Sequence, residues 1–521
     1  MDHLRSPGRR QFLGQCLSAS LVLAAAGITP GLTLGQPFSR HAEADGTQRI
    51  DFVHVADMHA AYNPDKVGSC PMARVRGYLQ ATRQANPFTL FTNSGDDYEK
   101  GSLAEQLSQG ATTRQVVQAL GYDVRTLGNH DFAWGLEELR RFCDDRRAAV
   151  LCANARLPRG DGAMPGPADF VTRRVGRLTI GFFGLTTRPY GCNNRQHDGP
   201  IYAEHPELVM DFDHLAIARR IIARHRHEVD LLVLVSHLGI TDDEIIARKT
   251  EGIDIILGGH SHTVLVEPLR VKNTTIIHAG SNGESFGHLS ITCEVKSGAI
   301  RATSFRLVDN RPEAAHLSGL PAADPAVAQD IAAILGPYMN EMEEVVGMVS
   351  QAQSRFDMAS LAARAAVAVT RADAALIDPH TVWQEWPAGH QLSRQDILDA
   401  FQVEREPVNT PGTSSLFLVR LTGTELLAAR RELADCAYCG PTRIEPQSSY
   451  LLAMQKNRLV GRPDLFYSAP FSAPQPAAEL WQVVSRHAED QWRRNLALDQ
   501  RHADGGMVAL SSPRANDHPA L

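Results

Sequence analysis

The sequence has little of several features that would assign it to a special class of protein. Only 6% of its 521 residues are aromatic and 43% are apolar, which is too apolar for a disordered chain and too mixed for a fibrous one. The formal net charge of −7 excludes the broad basic surface of a dedicated nucleic-acid binder. No apolar run reaches the roughly 20 residues that span a bilayer. These absences leave a soluble enzyme or binding protein, whose length predicts two or three domains.

Cysteine is also scarce, with eight residues in the whole chain. Cys16 lies near the N-terminus, and the other seven are an odd number, so at least one is free or pairs with another chain. Cys436 and Cys439 form a lone C-x-x-C, without the second pair of a structural zinc site or the context of a thioredoxin-like redox site. We expect a local disulfide between them, with two idle thiols as the alternative.

Residues 1–46 are predicted to be an export signal and linker. Arg9 and Arg10 precede an apolar stretch over residues 17–27, which contains the small residues Ala24, Ala25 and Ala26. This pattern is typical of a twin-arginine signal, with an uncleaved, disordered basic start as the alternative. The twin-arginine route carries folded proteins, so a metal could be loaded before translocation. We therefore expect a periplasmic or secreted protein without a stable membrane anchor.

Short apolar runs alternate with helical patterns along the rest of the chain. The clearest predicted strands are residues 50–55, 88–92, 178–185, 231–235, 253–257 and 275–278. Residues 72–85 and 214–226 have apolar side chains at helical spacing. This alternation predicts an α/β domain with strands buried on both faces, over residues 47–311. We expect a connector over 312–346 with a helix from 326, a second α/β domain over 347–475, and a C-terminal helix and tail over 476–521.

Side chains that can bind a metal follow four of these predicted strands and the short run at residues 123–126. They are, in chain order, Asp57 and His59, then Asp96 and Asp97, then Asn129, His130 and Asp131, then His237, and finally His260 and His262. The carboxyl ends of strands in an α/β sheet meet at one edge, where ligands bind. Singly, each residue has an ordinary structural explanation, but together they suit first-row divalent ions. Their number exceeds what one ion binds and indicates two ions sharing a bridging carboxylate.

These residues lie in five short motifs that identify a family. The motifs are Asp57-x-His59, Gly95-Asp96, Gly128-Asn129-His130-Asp131, Val235-Ser236-His237 and Gly259-His260-Ser261-His262. The set resembles the calcineurin-like metallophosphoesterases and, within them, the periplasmic 5′-nucleotidase branch. The likeness continues through residues 184–187, 278–283, 372–377 and 421–423. It implies a four-layer α/β/β/α sandwich plus a smaller C-terminal α/β domain of the 5′-nucleotidase type.

The resemblance also implies roles for individual residues. One metal would be held by Asp57, His59, Asp96 and His262, and the other by Asp96, Asn129, His237 and His260. Asp97 is the reserve for the bridging role of Asp96, because Asp97 keeps the spacing to Gly101 that is usual in the family. Two divalent ions, Mn, Zn, Fe or similar, would activate a water for in-line attack on a small phosphate ester. His130 would stabilise developing charge or assist the leaving group.

The chain departs from the family pattern beside the catalytic histidine. The usual run is Gly-Asn-His-Glu-Phe-Asp, whose last residue orients the histidine, but Ala133 stands at that position here. We therefore expect His130 to lack a carboxylate partner and to have a lower pKa and a less fixed tautomer. Asp131 is adjacent in sequence and is the available substitute.

The second domain departs further. The Asn-x-Gly-Gly-x-Arg run, whose arginine contacts substrate in nucleotidases, is replaced by residues 378–383, which have neither the glycines nor the arginine. Aromatic residues that could line a pocket or pack in the core are Trp383, Trp386, Phe401, Tyr450 and Phe466.

The leading hypothesis is an exported dinuclear-metal phosphoesterase. One alternative is a thiosulfohydrolase-like hydrolase of the same family, against which stands the retained Gly128-Asn129-His130 run. Another is a catalytically weak periplasmic binding protein, against which stands the retention of all seven ligand types. Binding of a nucleic-acid polymer is not expected.

Overall fold

A computed structural model describes residues 46–64, 70–156, 166–188, 209–315, 320–404, 412, 414–460 and 474–499. These residues form two units, one between residues 46 and 339 and the other between residues 340 and 499. The predicted export signal, Cys192 and Phe466 lie outside the described residues. Among the helices that the structure describes, none has the length and apolar character needed to cross a membrane.

The first unit contains two six-stranded sheets and a set of helices. Its strands are β1 (Thr47–Val55), β2 (Thr89–Asn93), β3 (Val124–Thr126), β4 (Ala149–Leu151), β5 (Ala155–Arg156), β6 (Phe170–Val175), β7 (Leu178–Thr186), β8 (Val209–Met210), β9 (Leu231–His237), β10 (Ile255–Gly258), β11 (Leu269–Val271), β12 (Thr274–His278), β13 (Ser285–Glu294) and β14 (Ile300–Asp309). Its helices are α1 (Pro71–Ala85), α2 (Leu103–Ser108), α3 (Ala111–Leu120), α4 (Leu136–Cys143), α5 (His214–His225), α6 (Ile240–Lys249), α7 (Pro312–Ala315) and α8 (Pro325–Leu335).

Parallel pairing places the ends of the central strands at a common edge of each sheet. The first sheet has the order β14-β13-β1-β2-β3-β4, in which β1 to β4 are parallel and β13 is antiparallel to both of its neighbours, β1 and β14. The second has the order β11-β12-β10-β9-β7-β6, in which β7, β9, β10 and β12 are parallel. The loops after β1, β2 and β3 therefore leave one edge of the first sheet, and those after β9 and β10 leave one edge of the second.

The core lies between the two sheets. Phe52 of β1 and Leu90 of β2 pack with Phe182, Val233 and Leu257 of the second sheet. Helices α5 and α6 cover the other face of the second sheet, while α1 packs on β2 and α8 packs on α1 and α3. Burial of each large apolar side chain contributes about 1.5 to 3 kcal/mol. The predicted four-layer α/β/β/α sandwich is confirmed.

The second unit is a smaller α/β fold around one mixed sheet, which confirms the predicted C-terminal domain type. Its strands are β15 (Val345–Met348), β16 (Ala374–Ile377), β17 (Gln391–Ser393), β18 (Leu416–Thr422), β19 (Ala437–Cys439), β20 (Ser449–Gln455) and β21 (Gln475–Ala478). Its helices are α9 (Met339–Glu343, which begins at the boundary), α10 (Arg355–Thr370), α11 (Arg394–Ala400), α12 (Gly423–Glu432), α13 (Lys456–Val460) and α14 (Leu480–Arg493). The sheet order is β19-β16-β20-β18-β21, and α10 packs against β16 and α14.

The helical run predicted over residues 326–346 is interrupted in the structure. Helix α8 ends at Leu335, a 3₁₀ turn follows at Gly336–Tyr338, α9 continues over Met339–Glu343, and Val345–Met348 is strand β15. Pro337 explains the interruption, because its ring has no backbone N–H to continue the helical hydrogen bonds.

The expected disulfide between Cys436 and Cys439 is also wrong. Both residues are buried free thiols, and burial raises the pKa of Cys436 to about 12 and that of Cys439 to about 11. Cys439 ends strand β19, and Cys436 directly precedes that strand. In an extended chain residues three apart are separated by about 10 Å, beyond the reach of a disulfide.

Candidate metal centre

The structure brings all seven predicted metal ligands and His130 together beyond the strand ends of the first unit. Asp57 and His59 follow β1, Asp96 follows β2, Asn129 and His130 follow β3, His237 ends β9, and His260 and His262 follow β10. Ligand atoms lie within 4.8 Å of one another in three overlapping groups, Asp57 with His59 and His262, His59 with Asp96 and His130, and Asp96 with His237 and His260. The sandwich thus collects one polar cluster from both sheets.

The closest contacts within the cluster join two histidine nitrogens in one case and a histidine nitrogen to a carboxylate oxygen in the other. His59 Nε2 lies 3.0 Å from His262 Nε2, and His237 Nε2 lies 3.0 Å from Asp96 Oδ2. His237 Nε2 is also 3.2 Å from Asn129 Oδ1. At the 3.0 Å between the His59 and His262 nitrogens, one ring donates a proton to the other, or a cation lies between the two lone pairs.

The backbone at the cluster adopts conformations that L-residues rarely use. Five of the seven candidate ligands have left-handed φ angles, namely Asp57 at 51°, His59 at 50°, Asp96 at 57°, His260 at 72° and His262 at 51°. Such backbone costs roughly 1 to 3 kcal/mol per residue and persists where the surrounding structure fixes it, commonly at functional sites.

Close packing behind the cluster requires glycine at two positions. A Cβ on Gly128 would lie 2.1 Å from Asp96 Oδ1. A Cβ on Gly259 would lie 2.5 Å from Ser94 Oγ and 3.0 Å from Asp57 Oδ2. The distances of 2.1 and 2.5 Å are too short for a side chain, so these glycines let two loops close around the carboxylates.

Backbone carbonyls orient two of the imidazole rings. His59 Nδ1 lies 3.2 Å from the carbonyl oxygen of Tyr98, and His237 Nδ1 lies 2.6 Å from that of Ser94. A carbonyl accepts hydrogen bonds, so the ring proton of each neutral histidine resides on Nδ1. In the neutral form of each ring, Nε2 would then have a free lone pair facing the cluster, which is the arrangement of a metal-binding histidine.

Burial favours the neutral form of three histidines. It lowers the pKa of His260 to about 4 and that of His262 to about 4, and holds the pKa of His59 well below its usual value. Nearby positive charges lower these pKa values further. Neutral imidazole is the form that binds metal ions.

Asp96 and His237 form the most strongly charged pair of the cluster. Burial alone would raise the pKa of Asp96, but the positive charges of His237 and His130 outweigh it and hold this pKa well below its usual value. Burial alone would lower the pKa of His237, but the charge of Asp96 raises it to about 9. Burial also raises the pKa of Asp57 to about 7. Without a metal ion, the proton on His237 thus balances the charge of Asp96, and a divalent ion that bound here would displace this proton.

The two adjacent aspartates are not equivalent. The carboxylate of Asp96 faces His237, whereas Asp97 Oδ1 accepts a hydrogen bond from Asn93 Nδ2 at 2.9 Å. The groups of donor atoms in the described part of the chain include Asp96 and leave Asp97 out. Asp97, the reserve for the bridging role, thus lies outside the cluster.

Asp131 has a different function from the one considered in the sequence. Its carboxylate accepts hydrogen bonds from the backbone N–H groups of Gly128 at 2.7 Å, Asp96 at 3.1 Å and Asp97 at 2.9 Å. The side chain therefore organises the two loops that carry Asp96 and Asn129. It is not the partner of His130.

The expectation that His130 lacks a carboxylate partner is wrong. His130 Nδ1 lies 2.5 Å from Glu99 Oε2. Burial alone would lower the pKa of His130, but the charges of Asp96 and Glu99 outweigh it and raise the pKa above its usual value. Sequence reasoning missed Glu99, and the available signal was a carboxylate in the loop that follows Asp96.

The donor set fits divalent metal ions. Carboxylate, amide oxygen and imidazole are ligands of Mn, Zn, Fe and related ions. Asp96 and His59 each belong to two of the three groups of donors. Such sharing is the geometry expected where neighbouring ions use common ligands.

A further group of residues that could bind a metal lies in the second unit, but its carboxylates are already paired with other side chains. Asp378, His380 and Asp435 lie close together, but Arg458 donates to Asp378 at 2.8 Å and to Asp435 at 2.6 Å. Asn457 Nδ2 also donates to Asp378, at 3.2 Å. A guanidinium already neutralises these carboxylates, and the group is an ion-pair network.

The aromatic residues of the second unit divide between core and surface. Trp386 and Phe401 are buried and pack edge to face at 6.0 Å. The hydroxyl of Tyr450 accepts a hydrogen bond from the backbone N–H of Glu445 at 2.9 Å. The side chain of Trp383 is 50% exposed.

Comparison with known proteins agrees with this geometry. The model of the calcineurin-like phosphoesterase family matches residues 50–264, the segment that contains all seven candidate ligands. The human 5′-nucleotidase is 24% identical over 321 residues, which cover 55% of this chain and 53% of that protein. The chain thus spans about half the length of that curated relative. Residues 50–264 therefore belong to the calcineurin-like phosphoesterase family, and the relatives that the chain matches include 5′-nucleotidases.

Solved structures share the architecture of both units. A 5′-nucleotidase precursor from Thermus thermophilus has a TM-score of 0.64 and 20% identity, and covers 85% of this chain and 96% of its own. The sulfate thiohydrolase SoxB from the same organism has a TM-score of 0.61 and 16% identity, with coverages of 85% and 94%. At these identities the similarity concerns the fold.

Proposed function

We propose that this chain is a metal-dependent phosphoester hydrolase whose active site holds two divalent ions. Asp57, His59 and His262 would bind one ion, and Asn129, His237 and His260 the other, with Asp96 bridging. The observation that carries the proposal is the position of Asp96, whose carboxylate lies 3.0 Å from His237 Nε2 and 3.8 Å from His59 Nε2. One carboxylate thus reaches ligands from both groups of donors.

The chemistry follows from the charges of the site. When bound, the divalent ions supply Lewis-acid polarisation of the phosphoryl group and activation of a water. The chain contributes a buried frame that fixes the ligands and a histidine beside them, since His130 Nε2 lies 4.0 Å from Asp96 Oδ2. His130 would donate a proton from Nε2 to the leaving oxygen as the bond from phosphorus to that oxygen breaks.

The substrate is proposed to be a small phosphate ester of the type that 5′-nucleotidases hydrolyse. A second candidate is a thiosulfohydrolase-like reaction on a related oxyanion ester. The replacement of the nucleotidase run by residues 378–383 favours it, because this segment has no arginine to contact a nucleotide. Retention of Gly128-Asn129-His130 supports the phosphoesterase.

We also propose that the protein is exported by the twin-arginine route. The support is the pair Arg9 and Arg10 ahead of the apolar run at residues 17–27. Replacing both arginines with lysine should retain the protein inside the cell. Equal amounts of the wild type and the double variant in the periplasm would contradict this route.

A metal and substrate panel tests the enzymatic proposal. Purified protein would be stripped with chelator, analysed for bound metal, reloaded with Mn, Zn, Fe or Co, and assayed on p-nitrophenyl phosphate, bis-p-nitrophenyl phosphate, nucleotides and an S-sulfate ester. We expect about two ions per chain at saturation and hydrolysis that depends on them. Hydrolysis of the S-sulfate ester alone would favour the second candidate.

A pair of histidine variants provides the control. His237→Ala should lose both the second ion and turnover, because His237 lies in the cluster. His227→Ala should retain them, because the side chain of His227 is exposed on a 3₁₀ turn. Full activity in His237→Ala, or activity that chelation leaves unchanged, would refute the proposed dinuclear mechanism.

A further inference from the structure

Asp243 is a buried carboxylate that the proposed mechanism does not use. It lies in the first turn of α6 and has no exposed surface. Its Oδ2 accepts a hydrogen bond from Nε2 of His278, the last residue of β12, at 2.8 Å. Its Oδ1 accepts one from the hydroxyl of Ser236, in β9. The carboxylate therefore joins one helix to two strands of the second sheet.

The strand register places Ser236, Gly258 and His278 side by side at the end of this sheet. Gly258 of β10 pairs with Ser236 of β9 on one side and with His278 of β12 on the other. Paired residues direct their side chains to the same face of a sheet. That face is the one that α6 covers, because Leu234, two residues before Ser236, packs in one cluster with Ile246 of α6. A carboxylate on α6 thus reaches both ends of the row.

The middle position of this row must be glycine for the carboxylate to fit. A Cβ on Gly258 would lie 2.1 Å from His278 Nε2 and 2.6 Å from Asp243 Oδ2. Asp243 and the ring of His278 therefore occupy the space that a side chain of β10 would take. Within the described part of the chain, Nδ1 of His278 is buried without a hydrogen-bond partner, so the bond to Asp243 is the polar contact that orients the ring.

The residues that follow this row are candidate metal ligands. Ser236 directly precedes His237, and Gly258 lies two residues before His260. The backbone N–H of Gly259 donates to the carbonyl oxygen of Ser236 at 2.9 Å, which ties the two segments together. Both histidines belong to the same group of donors. The contacts of the row therefore fix the main chain that carries two ligands of one ion.

Two ligands of the other ion come from the first sheet. Asp57 and His59 follow β1, and His262 has a side chain that is 39% exposed. The two groups of donors meet where the backbone N–H of His260 donates to Asp57 Oδ1 at 2.9 Å. Loss of Asp243 should therefore affect the two ions unequally.

We propose that Asp243 is a positioning residue for His237 and His260 and thereby sets the affinity for the second ion. The inference rests on the proposed two-ion site. Asp243 acts through the main chain, because its bonds to Ser236 and His278 hold the strand ends from which the ligands follow. Both of its oxygens are used in these bonds, so Asp243 is not itself a ligand.

Asp243→Ala tests the proposal against the matched variant Asp242→Ala, which removes the same group from the exposed surface of α6. Metal-stripped proteins would be titrated with Zn²⁺ in competition with a chromogenic chelator. We expect wild type and Asp242→Ala to bind two ions, and Asp243→Ala to bind the second roughly 10- to 100-fold more weakly. Equal affinities of all three proteins for both ions would overturn the proposal.

Variants that lack one ligand identify the ion concerned. His59→Ala removes a ligand of the first ion, and His237→Ala removes one of the second. We expect Asp243→Ala to weaken binding of the remaining ion roughly 10- to 100-fold in the His59→Ala background, and by no more than about twofold in the His237→Ala background. Equal weakening in both backgrounds would indicate a general loss of structure and would overturn the proposal.

Exchanges at His278 separate the hydrogen bond from the bulk of the ring. His278→Gln keeps an N–H donor with a similar reach, whereas His278→Met has a similar length and no donor. We expect His278→Gln to bind the second ion nearly as tightly as wild type, and His278→Met to bind it roughly 10-fold more weakly. Equal affinities of these two variants would overturn the proposal. The pair also decides the question if Asp243→Ala does not fold, which circular dichroism of the metal-free protein detects.

The positioning role and the proposed function can fail separately. A wild type that binds two ions and hydrolyses none of the esters would refute the proposed function, while the affinities of the Asp243 and His278 variants would still decide the positioning role. A wild type that binds a single Zn²⁺ at saturation would refute the two-ion site and this inference with it.

Discussion

Asp96 Oδ2 lies 3.0 Å from His237 Nε2, although the two residues belong to loops of different sheets. Asp96 follows β2 in the first sheet, and His237 ends β9 in the second. The contact therefore depends on how the two sheets pack, and no spacing within one motif determines it. The predictions below test the cluster that this packing assembles.

Exchanging the two adjacent aspartates for asparagine should have unequal effects. Asp96→Asn removes the carboxylate that faces both groups of donors, so we expect bound metal to fall and turnover to decrease by more than about 100-fold. Asp97→Asn changes a carboxylate that contacts Asn93 and should retain both ions. Metal analysis and steady-state assays of both purified variants measure the difference. The reverse ranking would assign the bridging role to Asp97.

Asp131→Asn should destabilise the loops that carry the ligands. The carboxylate of Asp131 accepts three backbone N–H groups through its two oxygens. In either orientation of the asparagine amide, its NH₂ group faces at least one of these donors. One buried N–H left without an acceptor costs about 1 to 3 kcal/mol of unfolding free energy. Urea denaturation measures the loss, with Asp242→Asn on exposed helix surface as the control. Equal stability of both variants would contradict this explanation.

Gly259→Ala should weaken metal binding while leaving the fold intact. The added Cβ would lie 2.5 Å from Ser94 Oγ and 3.0 Å from Asp57 Oδ2, so the loop must shift away from the cluster. We expect metal affinity to fall roughly 10- to 100-fold. Competition with a chromogenic chelator measures the affinity, and circular dichroism checks the fold. Gly336→Ala, where a Cβ meets nothing within 4 Å, is the control and should match wild type.

Asp51 should make stability depend on acid pH. Burial alone would raise the pKa of Asp51, but hydrogen bonds from His288, Ser290 and Asn86 outweigh it and lower the pKa from 3.8 to about 2. The folded state therefore favours the ionised form. Its contribution, about 2 kcal/mol, is fully present above pH 4 to 5 and is lost as the pH falls toward 2.

The variant Asp51→Asn isolates this contribution. Between pH 5 and pH 2 the unfolding free energy of chelated wild-type protein should fall by about 2 kcal/mol more than that of Asp51→Asn. Denaturation curves at several pH values, followed by tryptophan fluorescence, give both slopes. Asp330→Asn, at an exposed position of α8, should keep the wild-type slope. Parallel slopes for wild type and Asp51→Asn would contradict the assignment.

The sequence was sufficient to predict what depends on local pattern. Asp57 and His237 lie where apolar strands end, and the parallel strands then bring such residues to one edge. Contacts between distant loops could not be predicted in this way. The pairing of Glu99 with His130 depends on a left-handed backbone angle at Glu99, and residue spacing gives no measure of it.

The direction in which a side chain points was also beyond prediction from the sequence. Asp131 is next to His130 in sequence, and the 3₁₀ turn His130–Phe132 directs the Asp131 carboxylate to backbone N–H groups instead of to the ring. The helix predicted for the connector is interrupted for a local reason, because Pro337 lies within it. Amino-acid composition predicts neither the direction of the Asp131 carboxylate nor the interruption of the connector helix.

The division of the cluster between two sheets has a consequence for the order of assembly. Asp57, Asp96 and Asn129 come from one sheet, and His237 and His260 come from the other. Neither half of the sandwich offers a complete set of ligands while the other is unfolded. An ion would therefore be captured with high affinity only late in folding, and it would then stabilise the finished sandwich by an amount that grows with the logarithm of its free concentration. Tight binding of metal would therefore indicate that the first unit is completely folded.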